Sequence, residues 1–82
     1  MTIWLAWDHE HHVGRGGVLE IFASREAALR FLQERVAVLV DSCGFELEYA
    51  RSEWRLAEAE LQSSGRYVFP SAVMPGAWAS SG

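Results

Sequence analysis

Apolar and polar positions along the chain change period several times, and the changes mark elements. Residues 3–7, Ile3-Trp4-Leu5-Ala6-Trp7, form an aromatic and aliphatic run that favours a strand. A polar stretch, Asp8 to His12, leads into Val13-Gly14-Arg15-Gly16-Gly17, a turn because glycine accepts backbone angles that other residues resist. Residues 18–23, Val-Leu-Glu-Ile-Phe-Ala, read as a second strand, so the opening third is a β-hairpin with a long connector.

The period then becomes helical. Ser24 is a suitable N-cap and Glu26 a first-turn acid, and Ala28, Leu32, Val36 and Leu39 recur at spacings of four, four and three. Leu29 and Val40 widen that stripe, while Arg30, Gln33, Glu34 and Asp41 fall opposite it. Gly44 is placed to end the helix, and Cys43 to close its apolar stripe.

Residues 45–62 fit two patterns. Phe45, Leu47 and Tyr49 alternate with Glu46 and Glu48 as a strand would, with Arg51-Ser52-Glu53 turning into a fourth strand from Trp54 to Leu61. Leu47, Ala50, Trp54, Ala57 and Leu61 equally fit a helix, and the Ala57-Glu58-Ala59-Glu60 run prefers one. A lone hairpin under one helix is marginal, whereas a four-stranded sheet gives the helix a floor. The expectation is therefore an α+β fold, ββαββ, with an antiparallel four-stranded sheet and one helix on one face. Residues 1–65 would form this single domain. Residues 66–82, apolar but interrupted by Pro70, Pro75 and Gly76, would be a C-terminal extension packing on the sheet or on a partner.

This order of elements gives the chain a resemblance. Ile3-Trp4-Leu5-Ala6-Trp7, the step Phe22-Ala23-Ser24-Arg25-Glu26-Ala27-Ala28, and Glu53-Trp54 look like segments of small bacterial and phage-borne ββαββ proteins. The likeness spans residues 3–61, and such proteins carry no known activity. It implies fold rather than chemistry. If the phage-like origin holds, the expected role is an inhibitor, encoded by a phage or mobile element, that occludes the surface of a host protein.

Composition narrows the function classes. Eighty-two residues suffice for one domain with a modest core, and four Trp, four Phe and two Tyr must fill it or mark a contact surface. Eleven acidic residues against seven Arg and no Lys give a net charge of −4, which disfavours direct nucleic-acid binding. The lone Cys43 allows no internal disulfide, and no apolar run is long enough for a membrane span or a signal peptide. The expected location is the cytoplasm, with no membrane contact.

Asp8-His9-Glu10-His11-His12 is the only concentration of ligand-type side chains. Were the first strand to continue, His9 and His11 would share a face, their Cα atoms about 6–7 Å apart. Two imidazoles fall short of the three or four ligands a zinc site needs, so the expectation is no metal and no cofactor, with His9 and His11 as weak candidates. A metal-dependent enzyme built on Asp8, His9 and His11 is the alternative class, and a structural homo-oligomer a third. Cys43, near a helix C-terminus, is poorly placed to be a nucleophile. Gly14-Arg15-Gly16-Gly17 lacks the spacing of a phosphate loop.

The favoured reading is a non-enzymatic protein-binding module. Both faces of the first hairpin are apolar, and one helix covers only one of them. The face assigned away from the helix carries Trp4, Val18 and Phe22; the chain's own tail, a second copy or a foreign protein would cover it. Glu46, Glu48, Glu58 and Glu60, alternating on the last two strands beside Trp54, offer an acidic docking patch, and Trp78 belongs to the covering tail. These nine residues are the candidate partner-binding set.

Overall fold

Thr2–Asp8 forms β1, the middle strand of a three-stranded antiparallel sheet. Leu19–Phe22, β2, pairs on one side with Trp4 opposite Phe22 and Trp7 opposite Leu19. Trp54–Glu60, β3, pairs on the other side with Trp4 opposite Glu58 and Asp8 opposite Trp54. Among the described residues three α-helices join the sheet: α1 at His9–His12, α2 at Arg25–Asp41 and α3 at Leu47–Ser52. A 3₁₀ turn lies at Ala77–Ser80. The computed structural model describes residues 1–12, 14, 16–70 and 72–80.

The α+β class holds, but the sheet has three strands rather than four. The segment expected to be the third strand is helical over Leu47–Ser52, and the run with the stronger helical propensity is β3. Tertiary pairing decides both. Ala57 and Ala59 sit opposite Leu5 and Ile3, where their small side chains leave room for aromatic groups above the sheet. That gain outweighs the few tenths of a kcal/mol per residue by which Ala and Glu prefer helix (about 0–0.7 kcal/mol).

α2 follows the sequence closely. Ser24 is extended (φ −137°, ψ 153°) and its hydroxyl accepts the Ala27 N–H at 3.2 Å, supplying one of the helix's orphan donors with an acceptor. At the other end Gly44 takes φ +73°, and the Phe45 N–H returns to the Leu39 carbonyl at 3.1 Å. Cys43 is exposed there and does not join the apolar stripe. The stripe itself, Ala28, Leu32 and Val36, is buried.

Strand alternation divides β1 between two clusters. Ala6 packs with Leu32, Val36, Ala50 and Trp54, joined by half-buried Val18, Phe22, Phe31 and Leu56. Phe31 lies 5.3 Å from Phe22 and meets Trp54 edge-on at 5.6 Å, so this is the face that α2 covers. On the other face Ile3, Leu5 and Trp7 are buried beneath Tyr67, Phe69 and Val73, with Trp7 and Phe69 rings 4.9 Å apart. Full burial of Leu5, Trp7 and Leu32 contributes roughly 1.5–3 kcal/mol for each aliphatic side chain and more for the larger indole.

The two faces are thus the reverse of the expected assignment. Val18 and Phe22 lie under the helix, and Trp4 shares their face, half-buried between Phe22 and Glu58. Ala6 explains the choice: a single small residue at the centre of that face lets α2 approach the sheet, whereas Ile3, Leu5 and Trp7 would hold a helix off. The opposite face is closed by the chain's own Tyr67, Phe69 and Val73, which supply the cover that the apolar hairpin requires.

Candidate functional site

β1 stops at Asp8, and His9–His12 turns into a single helical turn. Asp8 caps it: Oδ1 accepts the His11 N–H at 2.9 Å and the Val18 N–H at 3.2 Å, tying both ends of the hairpin loop to one carboxylate. His9 and His11 are then two residues apart on a helix, about 200° around its axis, rather than on one strand face. His11 packs against Phe69, with ring centres 5.7 Å apart. Among the described residues no three His, Cys, Asp or Glu side chains come together around a point that would hold a metal ion. Gly14 adopts φ +76° as a turn glycine, while Val13 and Arg15 of the same loop lie outside the described residues.

A more unusual surface surrounds α3. Glu46 precedes the helix, Glu48 lies in its first turn and Arg51 in its last, the order that suits the helix dipole. Ala50 is buried against the α2 cluster, and Leu47 and Arg51 face α2. The helix therefore cannot bury Tyr49, which is 51% exposed and packs at a tilt against Phe45, 42% exposed, with ring centres 5.1 Å apart. Val38, on the side of α2 away from its stripe, is 46% exposed.

Phe45, Tyr49 and Val38 edge a cleft of about 320 Å³ whose floor includes Leu39 and the buried Trp54. Asp8, Glu10 and Glu53 bring three carboxylates to its wall, against the single cation Arg35, whose guanidinium lies over the Trp54 ring at 5.8 Å. The Glu53 side chain hydrogen-bonds to the Tyr49 hydroxyl and its charge opposes a phenolate, so Tyr49 ionises above the ordinary phenol value. The cleft thus joins exposed aromatic surface to negative charge.

A second, larger groove of about 470 Å³ runs between α2 and α3. Val36, Val40, Leu47 and Trp78 form its apolar walls, and Asp41 and Arg51 stand at its polar margin.

The expected partner-binding residues scatter. Trp54 is 3% exposed and belongs to the core, and Val18 and Phe22 pack beneath α2. Trp78 is half-buried, its Nε1 donating to the Trp54 carbonyl at 3.0 Å. Glu46 and Glu48 are exposed, but on α3 rather than on a strand, with Glu48 Oε1 3.4 Å from Arg51. Glu58 and Glu60 remain on β3, and Glu60 pairs with the Met1 ammonium, which holds its carboxyl below the usual range. No continuous acidic stripe joins the four glutamates, because only two of them are on a strand.

Sequence reasoning passed over Val38, Phe45 and Tyr49. Their signal was partial: Val38 and Tyr49 lie off the apolar stripes of their own helices, and Phe45 stands just ahead of α3. No helix of the described residues is long and apolar enough to cross a membrane. Comparison with protein-family models, with curated proteins and with solved structures finds no match to this chain.

Proposed function

We propose that this protein acts by binding another protein, through the cleft between Phe45, Tyr49 and Val38. The observation that carries the reading is the joining of three large exposed apolar side chains to the carboxylates of Glu10 and Glu53 at one cleft. Apolar surface of this kind at the centre of a contact, with charge at its rim, is the usual anatomy of a transient interface. The matching partner presents an apolar side chain flanked by Arg or Lys. Its cation would sit against Glu10 and Glu53 while its apolar group fills the floor. Asp8 adds to the negative field but is itself engaged by two backbone N–H groups.

An inhibitor encoded by a phage or mobile element is the narrower form of this proposal. It requires that the bound surface be one a host protein needs for its own activity.

The test uses fluorescence anisotropy with two labelled amphipathic peptides of the same apolar pattern, one carrying Arg and one Glu at its polar positions. The Arg peptide is expected to bind, with affinity falling as salt rises. The Phe45→Ala/Tyr49→Ala double variant, whose positions are exposed and outside the core, is expected to lose at least about tenfold in affinity while keeping its circular dichroism. Equal binding of the two peptides, or a double variant that binds as well as the parent, sinks the proposal.

A further inference from the structure

Trp7 and Arg55 stand directly opposite each other on β1 and β3, so their side chains leave the same face of the sheet. That face is the one that Tyr67, Phe69 and Val73 cover. Beneath the cover the Trp7 indole is fully buried, and neither its Nε1–H nor the buried Nη1 of Arg55 has a hydrogen-bond partner. Among the described residues no carboxylate pairs with the Arg55 guanidinium. Two neighbouring donors, one of them charged, have lost water and gained no acceptor, which is the costly way to bury a polar group.

The segment that keeps them dry is held by its side chains alone. Its ends are fixed: the Gln62 N–H donates to the Arg66 carbonyl at 2.9 Å, and the Gly76 N–H to the Trp54 carbonyl at 3.0 Å. Among the described residues, Tyr67, Val68, Phe69, Pro70, Ala72 and Val73 make no hydrogen bond. Val68, between the two covering rings, is 81% exposed. Lifting this segment breaks ring and methyl contacts but no bond of the sheet ladder, and it returns water to both donors.

We propose that residues 67–70 form a strap that lifts from the Trp7 face while the sheet and α2 stay folded, and that the two dry donors set how often it lifts. Lifted, it bares Ile3, Leu5 and Trp7. No strap residue lines the cleft at Phe45 and Tyr49, so the proposal does not rest on binding there. Trp54 supplies an internal contrast. Its Nε1–H is also buried without a partner, but it belongs to the cluster under α2, away from the strap.

Hydrogen exchange of the indole N–H groups, followed by NMR on the full chain, tests this. The Trp7 Nε1–H is expected to exchange at least about tenfold faster than that of Trp54, with little dependence on subdenaturing urea, because local opening exposes little surface. The Trp54 Nε1–H and the amides of Leu32 and Val36 are expected to follow global unfolding. Arg55→Met keeps an apolar stem and removes the dry cation. It is expected to slow Trp7 exchange at least about fivefold relative to those amides, whereas a residue that merely held the strap down would speed it. Exchange of Trp7 and Trp54 in step, with equal urea dependence, overturns the proposal in the parent protein alone. Faster or unchanged Trp7 exchange in Arg55→Met overturns it as well.

Discussion

The indole Nε1–H of Trp78 donates to the backbone carbonyl of Trp54 at 3.0 Å, and the Gly76 N–H reaches the same oxygen at the same distance. One carbonyl at the start of β3 thereby anchors the tail after it has crossed from the Trp7 face to the α2 side. Trp78→Phe keeps most of the packing and removes one bond, so a loss of about 1 kcal/mol is expected in chemical unfolding. Trp78→Ala also empties the space beside Val36 and Val40, and a loss of roughly 2–4 kcal/mol is expected. Equal losses for the two variants would show that the hydrogen bond, not the packing, holds the tail.

Phe69 is the tail's contact with Trp7. Phe69→Ala is expected to cost about 2–3 kcal/mol, since the ring is half-buried rather than fully enclosed. For a domain of this size that is a fall of roughly 10–20 °C in Tm. The same variant should bind a hydrophobic dye more strongly as Leu5 and Trp7 lose cover. Calorimetry and dye fluorescence check the two effects independently.

Gly17 is required by space rather than by backbone angle. A Cβ at this position would collide with Asp8 Oδ1 and the His11 backbone nitrogen, the two atoms of the cap. Gly17→Ala should therefore break the Asp8 cap and cost about 1–3 kcal/mol. At Gly14 a Cβ meets open space, and Gly14→Ala should cost only about 1 kcal/mol from its positive φ. Differential scanning calorimetry of the pair measures the contrast.

Tyr49 provides a pH signature. Its folded-state ionisation lies above the ordinary phenol value because Glu53 accepts its hydrogen and repels the phenolate. The associated stability is present below the unfolded-state value and is lost as pH rises through the folded one. Ultraviolet titration of the phenolates should show Tyr49 ionising late, and Glu53→Gln should move it down.

How far the chain could be read depended on whether local and long-range forces agreed. At Ser24 and along Ala28, Leu32 and Val36 they agree, and α2 appears where its capping and period place it. The first hairpin was legible for the same reason. Between Phe45 and Leu61 they conflict. Alternating Phe45, Leu47 and Tyr49 suggested a strand where α3 forms, and Ala57 to Glu60 suggested a helix where β3 forms. Only the pairing with β1 resolves that, and β1 lies some fifty residues earlier in the chain. The faces of the hairpin were equally ambiguous because both are apolar, and the decisive residue, Ala6, is the smallest of them. The aromatic cleft was hidden by the same misassignment, since Phe45 and Tyr49 as strand residues would have pointed into the sheet's core.

The strand order β2-β1-β3 has a consequence for how the molecule is made. β1 is synthesised before both of its neighbours and gains the second only when Trp54–Glu60 has been added, and its Trp7 face is sealed later still by Tyr67, Phe69 and Val73. At roughly 5–20 residues per second the nascent hairpin waits several seconds with Leu5 and Trp7 uncovered. A ribosome stalled before β3 would hold an aggregation-prone intermediate, and that interval, rather than the finished fold, is where the chain is most vulnerable.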